Sequence, residues 1–182
     1  MCEFNRTIFI KNDIISLAEY LPSDDSDGYN DWLDEETQRG YNHKFNQTFE
    51  EYSKEEFISS FNASIILNKN DMLIGSIGVS ELNDSQPLPD LSIRIFKPYR
   101  NQGFGTMAFA LGAKYCFDVL GFDKIYAGCY PDNIKSMKML EKCGFVPHPD
   151  GNSDEEHYIT GKPVTQLDFV LTKENLNIDK LT

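Results

Sequence analysis

The chain has 182 residues, 40% of them hydrophobic and 13% aromatic, enough for one folded domain spanning 1–182 and too apolar for a disordered chain. A formal net charge of −12 argues against nucleic acid as a partner, and no stretch has the uninterrupted apolar run of a membrane span or a secretory signal. A cytoplasmic protein is expected, with no nucleic-acid or membrane partner. Its four dispersed cysteines (Cys2, Cys116, Cys129, Cys143) read as free thiols, with no metal site.

In chain order, "RTIFI" (6–10) is a short β-type run. Ile14, Leu17, Ala18 and Leu21 then recur at helical spacing, which predicts a helix ended by Pro22. "SDDSDGYNDWLDEE" (23–36) begins with turn residues and allows a short helix around Trp32. Ser53 and Glu56 have capping-box spacing, which predicts a helix running to about Phe61. "ASIIL" (63–67) and "MLIGSIGV" (72–79) form a hairpin through Asn70-Asp71, and "LSIRIF" (91–96) is a third strand.

Phe104, Ala108, Leu111, Tyr115 and Val119 then mark an amphipathic helix stopped by Gly121, followed by the strand "KIYAGCY" (124–130). "NIKSMKMLEKCGF" (133–145) has a capping Asn133, apolar residues Ile134, Met137 and Leu140, and a stopping Gly144. Two β runs, "HYIT" (157–160) and "TQLDFVL" (165–171), close the pattern around a turn at 161–163. The order is α+β, with antiparallel strands early and a β–α–β–α unit in the middle.

The loop "YRNQGFGT" (99–106) separates a strand from a helix and carries two glycines. It can be a plain turn, or an anion site in which uncovered amides at a helix N-terminus face a phosphate. It lacks the Gly-Lys-Ser/Thr of a Walker loop, and Ala108 breaks the dinucleotide G-x-G-x-x-G pattern.

Arg100, Gly103 and Gly105 match the Arg/Gln-x-x-Gly-x-Gly/Ala pattern of the GNAT superfamily of acyl-CoA-dependent N-acetyltransferases. Asn133, Ser136 and Gly144-Phe145 match that superfamily's later pattern, so residues 5–172 resemble it. Ser136 and the late hairpin look most like the branch of ribosomal-protein N-terminal acetyltransferases. The resemblance implies a mostly antiparallel twisted sheet flanked by helices, with acetyl-CoA as cosubstrate. Its pyrophosphate would lie on the loop Arg100, Gln102, Gly103, Phe104, Gly105 and Thr106, and its pantetheine arm beside Ile95 and Phe96. Asn133 would bond the cofactor or simply cap its helix. Lys135, Lys138 and Lys142 would neutralise the 3′-phosphate or face solvent.

Acetyl transfer to an amine needs a neutral amine, support for an oxyanion, and a partner for the departing thiolate. Many relatives place a tyrosine seven residues after the Asn, where this chain has Leu140. The thiolate then falls to Ser136. Glu81 is the candidate base, with His43 or a water relay as alternatives. All the excess negative charge lies in residues 1–90, which hold 18 acidic and 6 basic side chains. Within the acidic stretch, Asp31, Trp32, Asp34 and Glu35 are expected to line the site of a cationic amine. A monomer or homodimer acting on a small-molecule or peptide amine follows, or else a non-catalytic acyl-CoA-binding module.

Overall fold

The computed structural model describes residues 6–55, 59–80, 82 and 88–180. β1 (Ile8–Lys11), β2 (Ile15–Glu19), β3 (Ser59–Leu67), β4 (Met72–Ser80) and β5 (Leu91–Ile95) form an antiparallel sheet in that order. A second sheet holds β6 (Lys124–Cys129), β7 (Val146–Pro147), β8 (Ser153–Glu156) and β9 (Pro163–Thr172), with β9 pairing all the others antiparallel. Three short helices, α1 (Asp25–Trp32), α2 (Glu35–Gly40) and α3 (Phe49–Tyr52), connect β2 to β3. α4 (Phe104–Asp118) and α5 (Ile134–Cys143) flank β6 in sequence.

α4 fills the core between the sheets, with Ala108, Phe109, Leu111, Ala113 and Cys116 buried among Ile15, Leu17, Ile77, Leu91, Ile125 and Leu171. Each large apolar side chain buried there contributes about 1.5–3 kcal/mol. Gly112 lets helix and sheet approach closely: a Cβ there would lie 2.5 Å from Ile77 Cδ1. The helix ends before Gly121 as expected, but Val119 is exposed and does not extend its buried face. Ile134 on α5 is likewise exposed, while Met137 and Leu140 pack inward.

Three local readings are corrected. Residues 15–19 form a strand, not a helix. β2 lies between β1 and β3 with both faces covered, so Ile15, Ser16, Leu17 and Ala18 are all buried. A strand buried on both faces loses the period-2 signature, and its apolar spacing then mimics a helix. No helix runs to Phe61, which lies in β3: Ser53 ends the single turn of α3, whose capping box is Thr48 and Glu51, and Glu56 lies outside the described residues. "HYIT" is a turn closed by Gly161 N–H to His157 carbonyl (2.8 Å), and the strand is the preceding "SDEE". β8 is an edge strand with every side chain exposed, so it carries no apolar alternation to read.

Among the described residues, an isolated bridge joins the two sheets. Asp90 and Tyr126 bridge in parallel, and Tyr126 N–H donates to the Pro89 carbonyl at 2.9 Å. Beyond that bridge β5 and β6 separate.

Candidate active site

The separation of β5 and β6 leaves a cleft of about 580 Å³, walled by both strands, the start of α4 and one face of α5. Along β5, Asp90 and Phe96 use their backbone groups on β4, through Ser80 N–H to Asp90 carbonyl (3.1 Å) and Phe96 N–H to Ile74 carbonyl (2.9 Å). Antiparallel alternation therefore turns the backbone groups of Leu91, Ile93 and Ile95 toward the cleft. The Tyr41 hydroxyl donates to the Ile93 carbonyl and Arg100 Nε to the Ile95 carbonyl, each at 2.8 Å. The N–H groups of Ile93 and Ile95 face the same opening, an edge suited to an extended, amide-bearing ligand.

Gly103 caps α4 from a left-handed backbone (φ +88°), with no side-chain cap, and the first intrahelical bond runs from Met107 N–H to its carbonyl. The amides of Phe104, Gly105 and Thr106 therefore lack intrahelical acceptors at the positive end of the helix dipole. Only glycine adopts that φ cheaply. Gly105 has ordinary helical backbone; its missing side chain leaves room, since a Cβ would lie 3.5 Å from Met139 Sδ and 3.6 Å from Ile95 Cγ1.

Of the residues expected to hold a cofactor, Ile95, Arg100, Gly103, Gly105, Thr106, Asn133 and Ser136 line this cleft. Phe96 is buried, Phe104 packs against the core, and Gln102 turns back to the Pro98 carbonyl at 3.0 Å. Asn133 caps α5 by accepting from Ser136 N–H at 3.1 Å. The Ser136 hydroxyl lies near the buried Cys129 thiol and opposes the burial that pushes the thiol's pKa up to about 11. Leu140 is buried, and Glu81 and Cys2 lie outside the described residues. His43 stacks edge-on against Trp32.

Arg100 lines the cleft, yet its guanidinium is engaged elsewhere. Besides Nε to Ile95, Nη1 reaches Asp34 (2.6 Å) and Glu36 (3.2 Å), and Nη2 reaches Asp31 (2.9 Å) and Thr37 (2.7 Å). Five donors meet five acceptors, which leaves none for a phosphate. Burial alone would raise the Asp34 carboxyl, but bonds from Lys97 and Arg100 outweigh it and hold the pKa at about 2. Arg94 lies 3.9 Å from Asp31 and 4.7 Å over the Trp32 ring, so the aromatic face also holds a cation of the chain itself. Lys135 pairs with Glu36 at 2.9 Å. Of the four residues expected at the amine site, Asp31 and Asp34 are paired, Trp32 lies under Arg94, and Glu35 is exposed.

Two cleft residues were missed in the sequence. Tyr130 donates to Glu155 at 2.8 Å, and burial raises its pKa. Asp90 stands where the strands part, and burial pushes its carboxyl up to about 6, with the like charge of Asp168 adding to the shift. Among the described residues no cluster of three or more His, Cys, Asp or Glu could hold a metal ion, and no helix is long and apolar enough to cross a membrane.

A mixed sheet forked over an uncapped helix N-terminus is the architecture expected of an acyl-CoA-dependent N-acetyltransferase. The family model described as an acetyltransferase (GNAT) domain matches residues 10–146, and the chain belongs to this family of N-acetyltransferases. It is 26% identical over 118 residues to spermidine N(1)-acetyltransferase of Vibrio cholerae, covering 65% of this chain and 67% of that protein. The crystal structure of spermidine N-acetyltransferase from Vibrio cholerae in complex with CoA and spermine has a similar fold (TM-score 0.77, 21% identity, 90% of this chain and 98% of that one). So does a putative ribosomal-protein-serine acetyltransferase from Vibrio cholerae (TM-score 0.67, 16% identity, 94% and 99%).

Proposed function

We propose that the protein transfers the acetyl group of acetyl-CoA to a cationic primary amine, by direct attack in a ternary complex and as one domain in the cytoplasm. The observation that carries this reading is the convergence on one cleft of an open β5 edge and the unacceptored amides of α4. The first fits the amide-rich pantetheine arm and the second a pyrophosphate. The thioester supplies an activated acyl carbon. The β5 N–H groups supply donors for a developing oxyanion, and Ser136 a hydroxyl for the departing sulfur. Lys138 and Lys142, also on the cleft wall, suit the 3′-phosphate.

A small polyamine is the preferred acceptor, because the relative named for spermidine is similar at the sequence level as well as in fold. Resemblance to the ribosomal-protein branch supports a basic peptide N-terminus as the second reading. Asp31 and Asp34 would act on the acceptor indirectly, by holding the wall in place, and the exposed Glu35 would act by long-range attraction.

The test is thiol release from acetyl-CoA with spermidine, spermine, an aminosugar and a basic peptide, plus mass detection of the acetylated product. Release with a polyamine supports the reading. Release only with peptide moves the protein to the second reading. Binding of acetyl-CoA without release from any acceptor makes it a non-catalytic acyl-CoA module.

A further inference from the structure

We infer that the Asp90 carboxylate accepts the proton of the acceptor ammonium, an assignment that rests on the amine-acetylating reading above. Position carries it first. Leu91 and Ile95 project toward α4, where Leu91 Cδ1 and Ile95 Cγ1 approach the glycines at 112 and 105. Strand alternation then puts Asp90, Ser92 and Arg94 on the opposite face, where Arg94 lies over Trp32 of α1. Asp90 thus lines the cleft from the strand face away from α4, at the closed end of the fork, while the candidate cofactor groups occupy the β5 edge and α4.

Its surroundings carry it second. Asp24, Asp31, Asp34 and Glu36 each pair with an Arg or Lys. Asp90 uses its backbone N–H on Ser80 Oγ, but among the described residues no donor is bonded to its carboxylate. The groups facing it are Asp168 from β9, Tyr41 beyond α2, its strand neighbours Ser92 and Arg94, and Tyr126 across the bridge on β6. Behind Asp168 stand Glu155 of β8 and His148. A half-buried carboxylate with no donor among the described residues, beside another carboxylate, is completed by an ammonium N–H. Its raised pKa of about 6 leaves it ionised at neutral pH and a stronger base than an ordinary aspartate.

The step balances. The ammonium gives one proton to Asp90, which passes it to solvent. The amine nitrogen forms the C–N bond to the acyl carbon, the C–S bond breaks, and the second N–H proton leaves with the sulfur as thiol.

The experiment compares the pH profiles of kcat/KM for the parent, Asp90→Asn and Asp90→Glu, with spermidine as acceptor. The parent should show an acid limb near pH 6 and a plateau above it, because Asp90 must be ionised. Asp90→Asn should be about 10²-fold slower at pH 7 and climb tenfold per pH unit toward the amine's own pKa of about 10, since only free amine then reacts. Asp90→Glu, which keeps a carboxylate, should recover an acid limb and part of the rate. Acetyl-CoA affinity and melting temperature should stay near the parent's in both variants, so that lost activity is not lost fold. A parent that acetylates spermidine while Asp90→Asn keeps its rate and acid limb overturns the assignment alone. A parent that acetylates no amine overturns the acetylation reading and the assignment with it.

Discussion

On the α4 side of the cleft the polar groups are backbone amides at residues 104–106, held by fixed geometry and without intrahelical acceptors. On the α1–α2 side they are side-chain charges, and Asp31, Asp34 and Glu36 are already bound by Arg94, Lys97, Arg100 and Lys135. The first wall has the donors and dipole that suit an anion. The second is closed on itself, a brace joining the short helices to β5 and to the loop before α4. Charge density along a sequence therefore does not measure the field a ligand meets. What is left to meet a ligand is the charge that remains after the chain has satisfied its own cations, and among the described residues lining this cleft Asp90 is a carboxylate with no bonded cation.

The comparison is broken most severely at Arg100. Arg100→Ala removes five hydrogen bonds and strips Asp31, almost fully buried, of its nearest cation. A loss of about 3–5 kcal/mol in unfolding free energy is expected, measured by urea denaturation. A loss below about 1 kcal/mol would mean that the brace contributes little and that Arg100 is available to a ligand.

The α4 wall was legible in the sequence because it is made by neighbours in the chain. Gly103 precedes an apolar stripe, and Asn133 and Gly144 bound α5 as their types require. The brace was not legible, since Arg100 meets acids 64 to 69 positions away and nothing in "SDDSDGYNDWLDEE" announces a partner. Asp90 was hidden for a similar reason. It follows a proline-containing loop and matters only because β5 and β6 part beside it. β2 was misread because burial on both faces removed its alternation, and β8 because exposure on both faces did the same.

Ser136 sharpens the reading of the α4–α5 wall. Ser136→Ala should lower kcat about tenfold, equivalent to about 1.4 kcal/mol, and leave acetyl-CoA affinity within twofold, as checked by steady-state kinetics and calorimetry. Equal losses in kcat and affinity would instead make it a ground-state binding residue.

The smallest effect concerns pH and the brace. The folded-state pKa of Asp34, about 2, lies below the 3.8 of an unperturbed aspartate, so the unfolded chain binds more protons between those values. The stability from this pair is complete above the unfolded pKa and is lost as pH falls from about 4 toward 2. With solvent screening it amounts to no more than about 1 kcal/mol. Asp34→Asn should flatten the slope of unfolding free energy in that window, and an unchanged slope would assign it to other carboxylates.

The central claim is that acetyl-CoA binds through the amides at the start of α4, in space that Gly105 keeps open. Calorimetric titration of acetyl-CoA into the parent and into Gly105→Ala tests it most directly. The added Cβ meets only ordinary contacts at 3.5 and 3.6 Å, and alanine is the better helix former by about 1 kcal/mol. The account predicts an unchanged or raised melting temperature together with at least a tenfold loss of affinity, about 1.4 kcal/mol. Equal affinity in the two proteins would contradict it.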